Sequence, residues 1–258
     1  MSRYPNPPIR AYCAPLQRHA GCPDAAQQTT SLPSRRSDCH RTTGAPLATP
    51  PIGGSGQQYF ETPDGEDIRR DIAATIWGRS YTFTTSGGVF SGGRLDPGTA
   101  VLLRSVDPPT DGAHRLLDLG CGYGPIAVAL AAACPESDVT AVDVNDRAIE
   151  LTRLNAQRAG VEVRAVRPEE VPPDARFDEI WSNPPIRIGK DALHDLLSTW
   201  LGRLAPDGRA YLVVGRNLGA DSLQTWLETQ GWRCDRLASA KGFRVLRVTA
   251  PEALSITN

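Results

Sequence analysis

The chain of 258 residues is long enough for one sizeable domain and a shorter appended segment, and its composition excludes several classes of protein. The formal net charge is -1, so bulk charge favours neither a nucleic acid nor an anionic membrane as a partner. The longest apolar stretch, residues 126–134, is too short to span a bilayer, and the N-terminus has no apolar segment typical of a secretory signal. Six cysteines without Cys-x-x-Cys spacing indicate a reduced protein, which predicts a cytoplasmic location.

The first 56 residues differ in composition from the rest. They are rich in Pro, Ser, Thr, Gln and Arg and poor in large apolar residues, so they cannot bury enough surface to offset the entropy lost on ordering. His19, Cys22, Cys39 and His40 match no standard zinc spacing, and we predict no metal site. We therefore predict a disordered segment over 1–56, a folded domain over 57–250 and a short tail over 251–258.

The folded domain begins with an alternating segment, residues 81–90, that contains two glycines and predicts a β-hairpin. Asp96-Pro97-Gly98 predicts the start of a helix. An apolar strand over 115–119, a glycine turn and an Ala-rich helix over 126–133 follow.

Strands and helices then alternate to the end of the domain. Further strands are predicted over 139–143, 161–166, 177–181, 210–214, 232–238 and 243–249, with helices over 145–158, 193–204 and around 223–227. Alternation of this kind predicts an α/β fold with helices on both faces of a sheet. We expect a Rossmann-like, doubly wound sheet of seven strands, mostly parallel, that ends in an antiparallel hairpin.

The turn after strand 115–119 predicts a ligand site. Gly120, Gly122 and Gly124 alternate there, which differs from the G-x-G-x-x-G spacing of dinucleotide-binding turns. Asp118 precedes them, and an acid at that position suits a cationic ligand group better than a pyrophosphate. Asp143 ends the next strand, 25 residues later, where a carboxylate can accept both hydroxyls of a ribose.

A second chemical motif, Asn183-Pro184-Pro185, follows the strand that we expect to lie beside 115–119. The prolines stiffen the turn, so the Asn183 side-chain oxygen and the Pro184 carbonyl can point at one donor group. A group with two N–H bonds, an exocyclic amine or an amide, fits two such acceptors. They favour the tetrahedral nitrogen that attack requires, and positioning then lowers the barrier.

Together these motifs resemble class I S-adenosylmethionine-dependent methyltransferases, and within them the catalytic domain of small-subunit rRNA guanine-N2 methyltransferases. The segments that carry the resemblance are 88–91, 95–99, 118–124, 142–145, 182–190 and 241–245. The resemblance implies S-adenosylmethionine as cofactor, and rRNA or the small ribosomal subunit as partner. It implies a cofactor site formed by Asp118, Gly120, Cys121, Gly122, Gly124, Asp143, Val144 and Glu169 or its neighbour Glu170, and a catalytic motif formed by Asn183, Pro184 and Pro185.

The substrate side departs from the family pattern. Where the family often has an aromatic residue that stacks on the target base, this chain has Ile186, and Phe90 is the candidate for the missing ring. Arg187, Lys190 and Lys241 are candidate phosphate contacts; Lys190 and Lys241 are the chain's two lysines. Better-known members carry a second methyltransferase-like domain, where this chain has the segment 1–56.

Three alternatives remain open from the sequence. In the first, the methyl acceptor is a protein glutamine amide, and in the second it is a small molecule. In the third, the chain is a non-catalytic assembly factor that binds the cofactor. The intact Asn183-Pro184-Pro185 argues against the last. No membrane partner is expected, and a monomer is the default expectation.

Overall fold

The computed structural model describes residues 67–87, 89, 93–110, 112 and 114–251. The predictions for 1–56, for Phe90 and for 252–258 lie outside these residues. The strands in the described part are β1 (Arg69–Ile76), β2 (Arg79–Ser86), β3 (Arg115–Leu119), β4 (Asp138–Val142), β5 (Arg164–Val166), β6 (Phe177–Ser182), β7 (Leu204–Gly215), β8 (Arg233–Ala240) and β9 (Phe243–Thr249). The helices are α1 (Pro97–Ser105), α2 (Pro125–Ala133), α3 (Asp146–Ala159), α4 (Lys190–Leu201) and α5 (Ala220–Thr229).

Seven of the strands form one sheet in the order β5-β4-β3-β6-β7-β9-β8. The strands from β5 to β7 are parallel neighbours, whereas β9 runs antiparallel to both β7 and β8. The predicted fold class is therefore confirmed. Because β3 lies beside β6, the turns that follow these two strands open at the same edge of the sheet.

Alternate residues of each strand face two separate apolar cores. Leu116 and Val213 pack with α1, α2 and α3 on one face, and Leu117 and Leu212 pack with α4 and α5 on the other. This is the period-two alternation of a sheet that is buried on both faces. The two layers of helices hold the sheet rigid and leave its carboxyl edge free for a ligand.

The hairpin predicted over 81–90 was placed wrongly: residues 79–86 form one strand, β2, and its partner is the preceding strand β1. The turn of this hairpin is therefore not at Gly87. It lies at Trp77-Gly78, where both residues have positive φ (46° and 77°) between β1 and β2. This pair of conformations is that of a type I′ turn, and tryptophan is an unusual residue for it, so the sequence signal was missed. The side-chain amide of Asn155 on α3 then covers the edge of β2, accepting from the Thr84 N–H (2.7 Å) and donating to its carbonyl (2.9 Å).

The helix predicted over 193–204 ends earlier than its apolar periodicity indicates. α4 stops at Leu201, and Leu204 pairs with Phe177 as the first residue of β7. Both α4 and β7 bury apolar residues in the same core, so Leu204 continues the helical pattern without being helical. Gly208 lies within β7, at an irregularity in the pairing of β7 with β6, and a Cβ there would stand 2.9 Å from the Phe177 carbonyl oxygen.

Candidate active site

A cavity of about 460 Å³ lies at the carboxyl edge of the sheet and joins the two sequence motifs. The glycine turn after β3 forms one side and Asn183 to Pro185 after β6 form another. Val89, Pro168 and residues of α4 complete the walls. The two motifs thus meet in one crevice, as the neighbouring positions of β3 and β6 require.

The glycine turn is held by backbone geometry that side chains resist. Gly120, Gly122 and Gly124 all have positive φ (74°, 58° and 81°), and the N–H groups of Gly120 and Cys121 donate to the Val142 carbonyl at 2.8 and 3.1 Å. At Gly124 a Cβ would stand 2.7 Å from the Thr152 methyl carbon. Gly124 therefore allows α3 to pack directly against the start of α2.

Replacing Gly124 by alanine should lower the free energy of unfolding by about 2–5 kcal/mol, because strain at positive φ adds to the clash with Thr152. Gly160, which ends α3 with φ 69° and open space at its Cβ position, is the matched control. Gly160→Ala carries the backbone strain alone, about 1–2 kcal/mol. Urea unfolding of both variants measures the difference, and equal losses would contradict the packing role.

Cys121 is buried within this turn. The Thr152 hydroxyl donates to its sulfur at 3.4 Å and to the Gly122 carbonyl at 3.0 Å. Burial, together with the nearby Asp143 and Asp118 carboxyls, raises the pKa of the Cys121 thiol well above its usual value. Cys121 borders the cavity as a small packed side chain, and its chemistry is that of a neutral thiol.

Asp118 is fully buried at the base of the turn. Its Oδ2 accepts the Ala127 N–H at 3.0 Å in the first turn of α2, whereas no donor of the described chain reaches Oδ1. Burial raises the pKa of Asp118 to about 7, against the lowering effect of the Ala127 N–H, and the Asp143 carboxyl adds to the rise. A buried carboxyl oxygen without a partner is suited to a cationic or hydrogen-bonding ligand group.

The raised pKa of Asp118 makes the stability of the cofactor-free protein pH-dependent. The folded state retains a proton that the unfolded chain releases near pH 3.8, so this group's contribution to stability falls as pH rises from about 4 to about 7 and is constant above. Asp118→Asn removes that contribution, worth at most about 4 kcal/mol. As pH rises from about 4 to about 7, the unfolding free energy of wild type should therefore fall relative to that of Asp118→Asn. Urea titrations at pH 4.5, 6 and 8 check this prediction, and parallel profiles would refute it.

Asp143 lies just beyond β4 and faces the same crevice. Its Oδ2 accepts the Gly122 N–H and its Oδ1 accepts the Asn145 N–H, each at 3.0 Å. Burial raises the pKa of this carboxyl, while backbone N–H groups oppose the rise. Each oxygen keeps lone-pair capacity for one more donor, so the pair of hydroxyls on a ribose fits. Val144, an apolar residue left 37% exposed beside it, offers a flat contact for a base.

The loop after β5 contributes to the crevice through Pro168, which lines the cavity. Glu169 and Glu170 are exposed and do not line it. Glu170 accepts the Arg167 backbone N–H at 2.8 Å, and Glu169 lies 3.9 Å from the Arg167 guanidinium. The cofactor contact assigned to Glu169 thus stays a prediction.

Asn183 projects from the end of β6 with its amide orientation set by α1. Its Nδ2 donates to Asp96 Oδ1 at 2.7 Å and to Thr99 Oγ1 at 3.1 Å. Both N–H bonds are used, and within the described chain Oδ1 remains available as an acceptor. Asp96-Pro97-Gly98 predicts the start of α1, and Asp96 is indeed its N-cap, but no local pattern marks Asp96 or Thr99 as a partner of Asn183.

The two prolines shape the other acceptor. Pro185 has φ -74° and ψ 76°, the inverse γ-turn conformation, and the Ile186 N–H donates to the Pro184 carbonyl at 2.8 Å. A carbonyl oxygen has two lone pairs, so one remains for a substrate donor. The turn orients the Pro184 carbonyl and occupies half of its acceptor capacity.

The remaining predicted substrate residues lie around the crevice. Ile186 is half-buried against the core under α4 and does not line the cavity, whereas Ile188 does. Arg187 and Lys190 are exposed where α4 begins. Lys241 is exposed in the turn between β8 and β9, which is at the same edge of the sheet because β8 runs parallel to β7.

Comparison with known proteins decides the family. Residues 80–247 match the model of the methyltransferase small domain. The chain belongs to this methyltransferase family. Among curated relatives it is 30% identical over 197 residues to the uncharacterized protein YbxB of Bacillus subtilis, covering 75% of this chain and 98% of that one. It is 36% identical over 196 residues to ribosomal RNA small subunit methyltransferase C of Ectopseudomonas mendocina, covering 73% of this chain and 57% of that one.

A solved structure supports the same family. The 16S rRNA N2-guanine methyltransferase RsmC of T. thermophilus, in complex with AdoMet and guanosine, superposes with a TM-score of 0.63 at 27% identity. The match covers 73% of this chain and 52% of that one. This chain thus spans about half the length of its RsmC relatives and nearly all of YbxB.

The methyltransferase small domain proteins use S-adenosylmethionine, and this site fits that cofactor. The orphaned Asp118 Oδ1 suits the ligand's amino-acid end, the Gly120–Gly124 turn offers backbone without side chains, and Asp143 suits its ribose. When bound, S-adenosylmethionine supplies a methyl group activated by a positively charged sulfur. Within the described residues, no group of three or more His, Cys, Asp or Glu side chains could hold a metal ion. No helix there is both long and apolar enough to pass through a membrane.

Proposed function

We propose that this methyltransferase modifies the exocyclic N2 amine of a guanine in small-subunit rRNA. The observation that carries the proposal is a pair of hydrogen-bond acceptors at the crevice, the Asn183 side-chain oxygen and the Pro184 carbonyl. They line the same cavity as the glycine turn after β3 and the Asp143 carboxyl, which we assign to the cofactor. The names of the RsmC relatives support rRNA as the substrate class.

Two fixed acceptors suit a planar amine with two N–H bonds. The lone pair of such a nitrogen is delocalised into its ring, which makes it a weak nucleophile. Hydrogen bonds from its N–H groups to Asn183 and Pro184 raise the electron density on nitrogen and favour the tetrahedral geometry needed for attack. The two acceptors also restrict the nitrogen to one position and direction, and orientation of this kind lowers a barrier by several kcal/mol.

Four exposed cations lie at the edge of the sheet where the crevice opens, outside the cavity lining, which suits an extended polyanion better than a single small molecule. Arg187 and Lys190 follow β6, Arg216 follows β7, and Lys241 lies in the β8–β9 turn, all at the carboxyl edge of the sheet. The Arg216 N–H donates to the Gly242 carbonyl at 2.7 Å, which ties these two segments together. Phosphate contacts position an RNA without reading its sequence, and we assign that role to these side chains.

Methyl transfer from radiolabelled S-adenosylmethionine into three acceptors tests the proposal. The acceptors are isolated small subunits, naked rRNA and total protein, all from cells that lack the gene for this chain, so that its target is unmodified. We expect N2-methylguanosine in nuclease digests of the rRNA, in the subunit or naked form. Label in protein, or no label in any acceptor despite tight cofactor binding, would overturn the rRNA assignment and favour a glutamine amide, a small molecule or a non-catalytic role.

A further inference from the structure

The N-terminus of α1 contacts the Asn183 amide directly, at the lining of the crevice. Asp96, the N-cap residue of α1, accepts the Thr99 N–H at 2.9 Å and the Asn183 Nδ2 at 2.7 Å through the same Oδ1. We propose that Asp96 is a positioning residue: it sets the rotation of the Asn183 side-chain amide so that the oxygen, and not the nitrogen, points toward the methyl acceptor. This inference rests on the proposed role of Asn183 toward an amine.

The need for such a residue follows from the symmetry of an amide side chain. A rotation of 180° exchanges the Asn183 oxygen and nitrogen with little change in shape. The flipped form would present N–H groups to an incoming amine, and donors facing donors repel. Only the form with Oδ1 toward the crevice can accept the amine's hydrogens.

Asp96 distinguishes the two forms because its side chain can only accept hydrogen bonds when ionised. It binds the Asn183 N–H at 2.7 Å, whereas the flipped amide would place an oxygen against a carboxylate. Thr99 cannot make this choice alone, because a hydroxyl both donates and accepts. Its Oγ1 lies 3.1 Å from the same nitrogen and adds a second acceptor to the preferred form.

The segment around Asp96 is packed so that its carboxyl is held in place. Thr99 is buried, and Val101 and Leu102 anchor α1 in the core. At Gly98 a Cβ would stand 3.0 Å from both Asp96 Oδ1 and the Phe243 ring, so the β8–β9 hairpin closes directly over this turn. A charged acceptor on the amide N–H also polarises the amide, which strengthens its oxygen as an acceptor.

Asp96→Ser tests the inference, because serine retains a good helix N-cap but is too short to hold Asn183. We expect kcat to fall by about 10- to 100-fold while the acceptor KM and the affinity for S-adenosylmethionine change little. Asp96→Asn, which keeps one acceptor oxygen, should recover part of this loss. Ala100→Gly is the matched control, since it weakens α1 and leaves Asp96 and Asn183 in contact.

Two further measurements distinguish a role of Asp96 in positioning the Asn183 amide from a general effect of the substitution on protein stability. In the Asn183→Ala background, Asp96→Ser should cause no additional loss of kcat, because its effect passes through the missing amide. In ¹⁵N NMR spectra of the cofactor-free protein, the Asn183 side-chain amide is assigned by its absence in Asn183→Ala. It should be equally protected from exchange in wild type and Ala100→Gly, and clearly less protected in Asp96→Ser, where Thr99 is the remaining acceptor.

The inference is overturned if Asp96→Ser leaves the Asn183 resonance unchanged, or if Ala100→Gly lowers kcat as much as Asp96→Ser does. The NMR measurement needs neither cofactor nor acceptor. Failure of the rRNA assignment would therefore appear only in the labelling experiment, and the position of the amide would still be decided separately.

Discussion

Asn183→Ala should reduce methyl transfer by about 10²- to 10³-fold, the range observed when one preorganised hydrogen-bonding group is removed from a reacting centre. The affinity for S-adenosylmethionine should stay within about twofold of wild type, since the residues that we assign to the cofactor are in the turn after β3 and at Asp143. Single-turnover labelling measures the first quantity and calorimetric titration the second. Loss of turnover with retained cofactor binding identifies Asn183 as a group that acts on the acceptor.

Asn217 provides the matched control for this experiment. It is an exposed asparagine after β7, at the same edge of the sheet, and it does not line the cavity. Asn217→Ala should keep wild-type turnover. If Asn183→Ala also kept it, the acceptor pair at the crevice would have no catalytic role and a pure cofactor-binding function would be favoured.

Asp143→Ala should weaken the binding of S-adenosylmethionine by about 10²- to 10⁴-fold. Two charge-assisted hydrogen bonds to ribose hydroxyls would be lost, each worth about 1.5–3 kcal/mol. The Gly122 and Asn145 N–H groups would also lose their acceptor, which loosens the turn that cradles the ligand. Calorimetric titration measures the dissociation constants of S-adenosylmethionine and S-adenosylhomocysteine. Because both ligands contain the ribose, Asp143→Ala should weaken the binding of both.

Asp146→Ala is the control for charge at this position. Asp146 is exposed three residues further along and pairs with Arg167 at 2.6 Å, away from the cavity lining. Its removal should leave the dissociation constant within about twofold of wild type, because an exposed ion pair contributes at most about 1 kcal/mol. A dissociation constant for Asp143→Ala as close to wild type as that of Asp146→Ala would exclude Asp143 from the cofactor site.

Much of the site follows from local patterns in the chain. An apolar run, three alternating glycines and an Ala-rich segment predict β3, the turn and α2, and the structure has all three in that order. Asp118 lies one residue before the end of β3 and Asp143 directly after β4, at the edge where open α/β sheets bind ligands. Their assignment to a cofactor follows from these positions and stays a prediction. Asn183 could be placed opposite them because adjacent strands in a doubly wound sheet share that edge.

Other features depend on contacts between segments that are distant in the chain. The hairpin turn at Trp77-Gly78 lacks the usual residues, and Asn155 on α3 supplies hydrogen bonds to its second strand. Leu204 continues a helical pattern but belongs to β7, because one core receives both elements. Periodicity reports which residues are buried; it does not report which neighbour buries them.

The sequence by itself determined the fold class, the glycine turn and the positions of Asp118 and Asp143 at the ends of neighbouring strands. These features depend on residue type and spacing within a strand–turn–helix unit. Only the tertiary structure decided the orientation of the Asn183 amide. Asn183 and Asp96 are 87 residues apart, and their contact exists because α1 begins at the edge of the sheet where β6 ends. A hydrogen bond between two such side chains has no local pattern to predict it, since its energy depends on where the backbone places both partners.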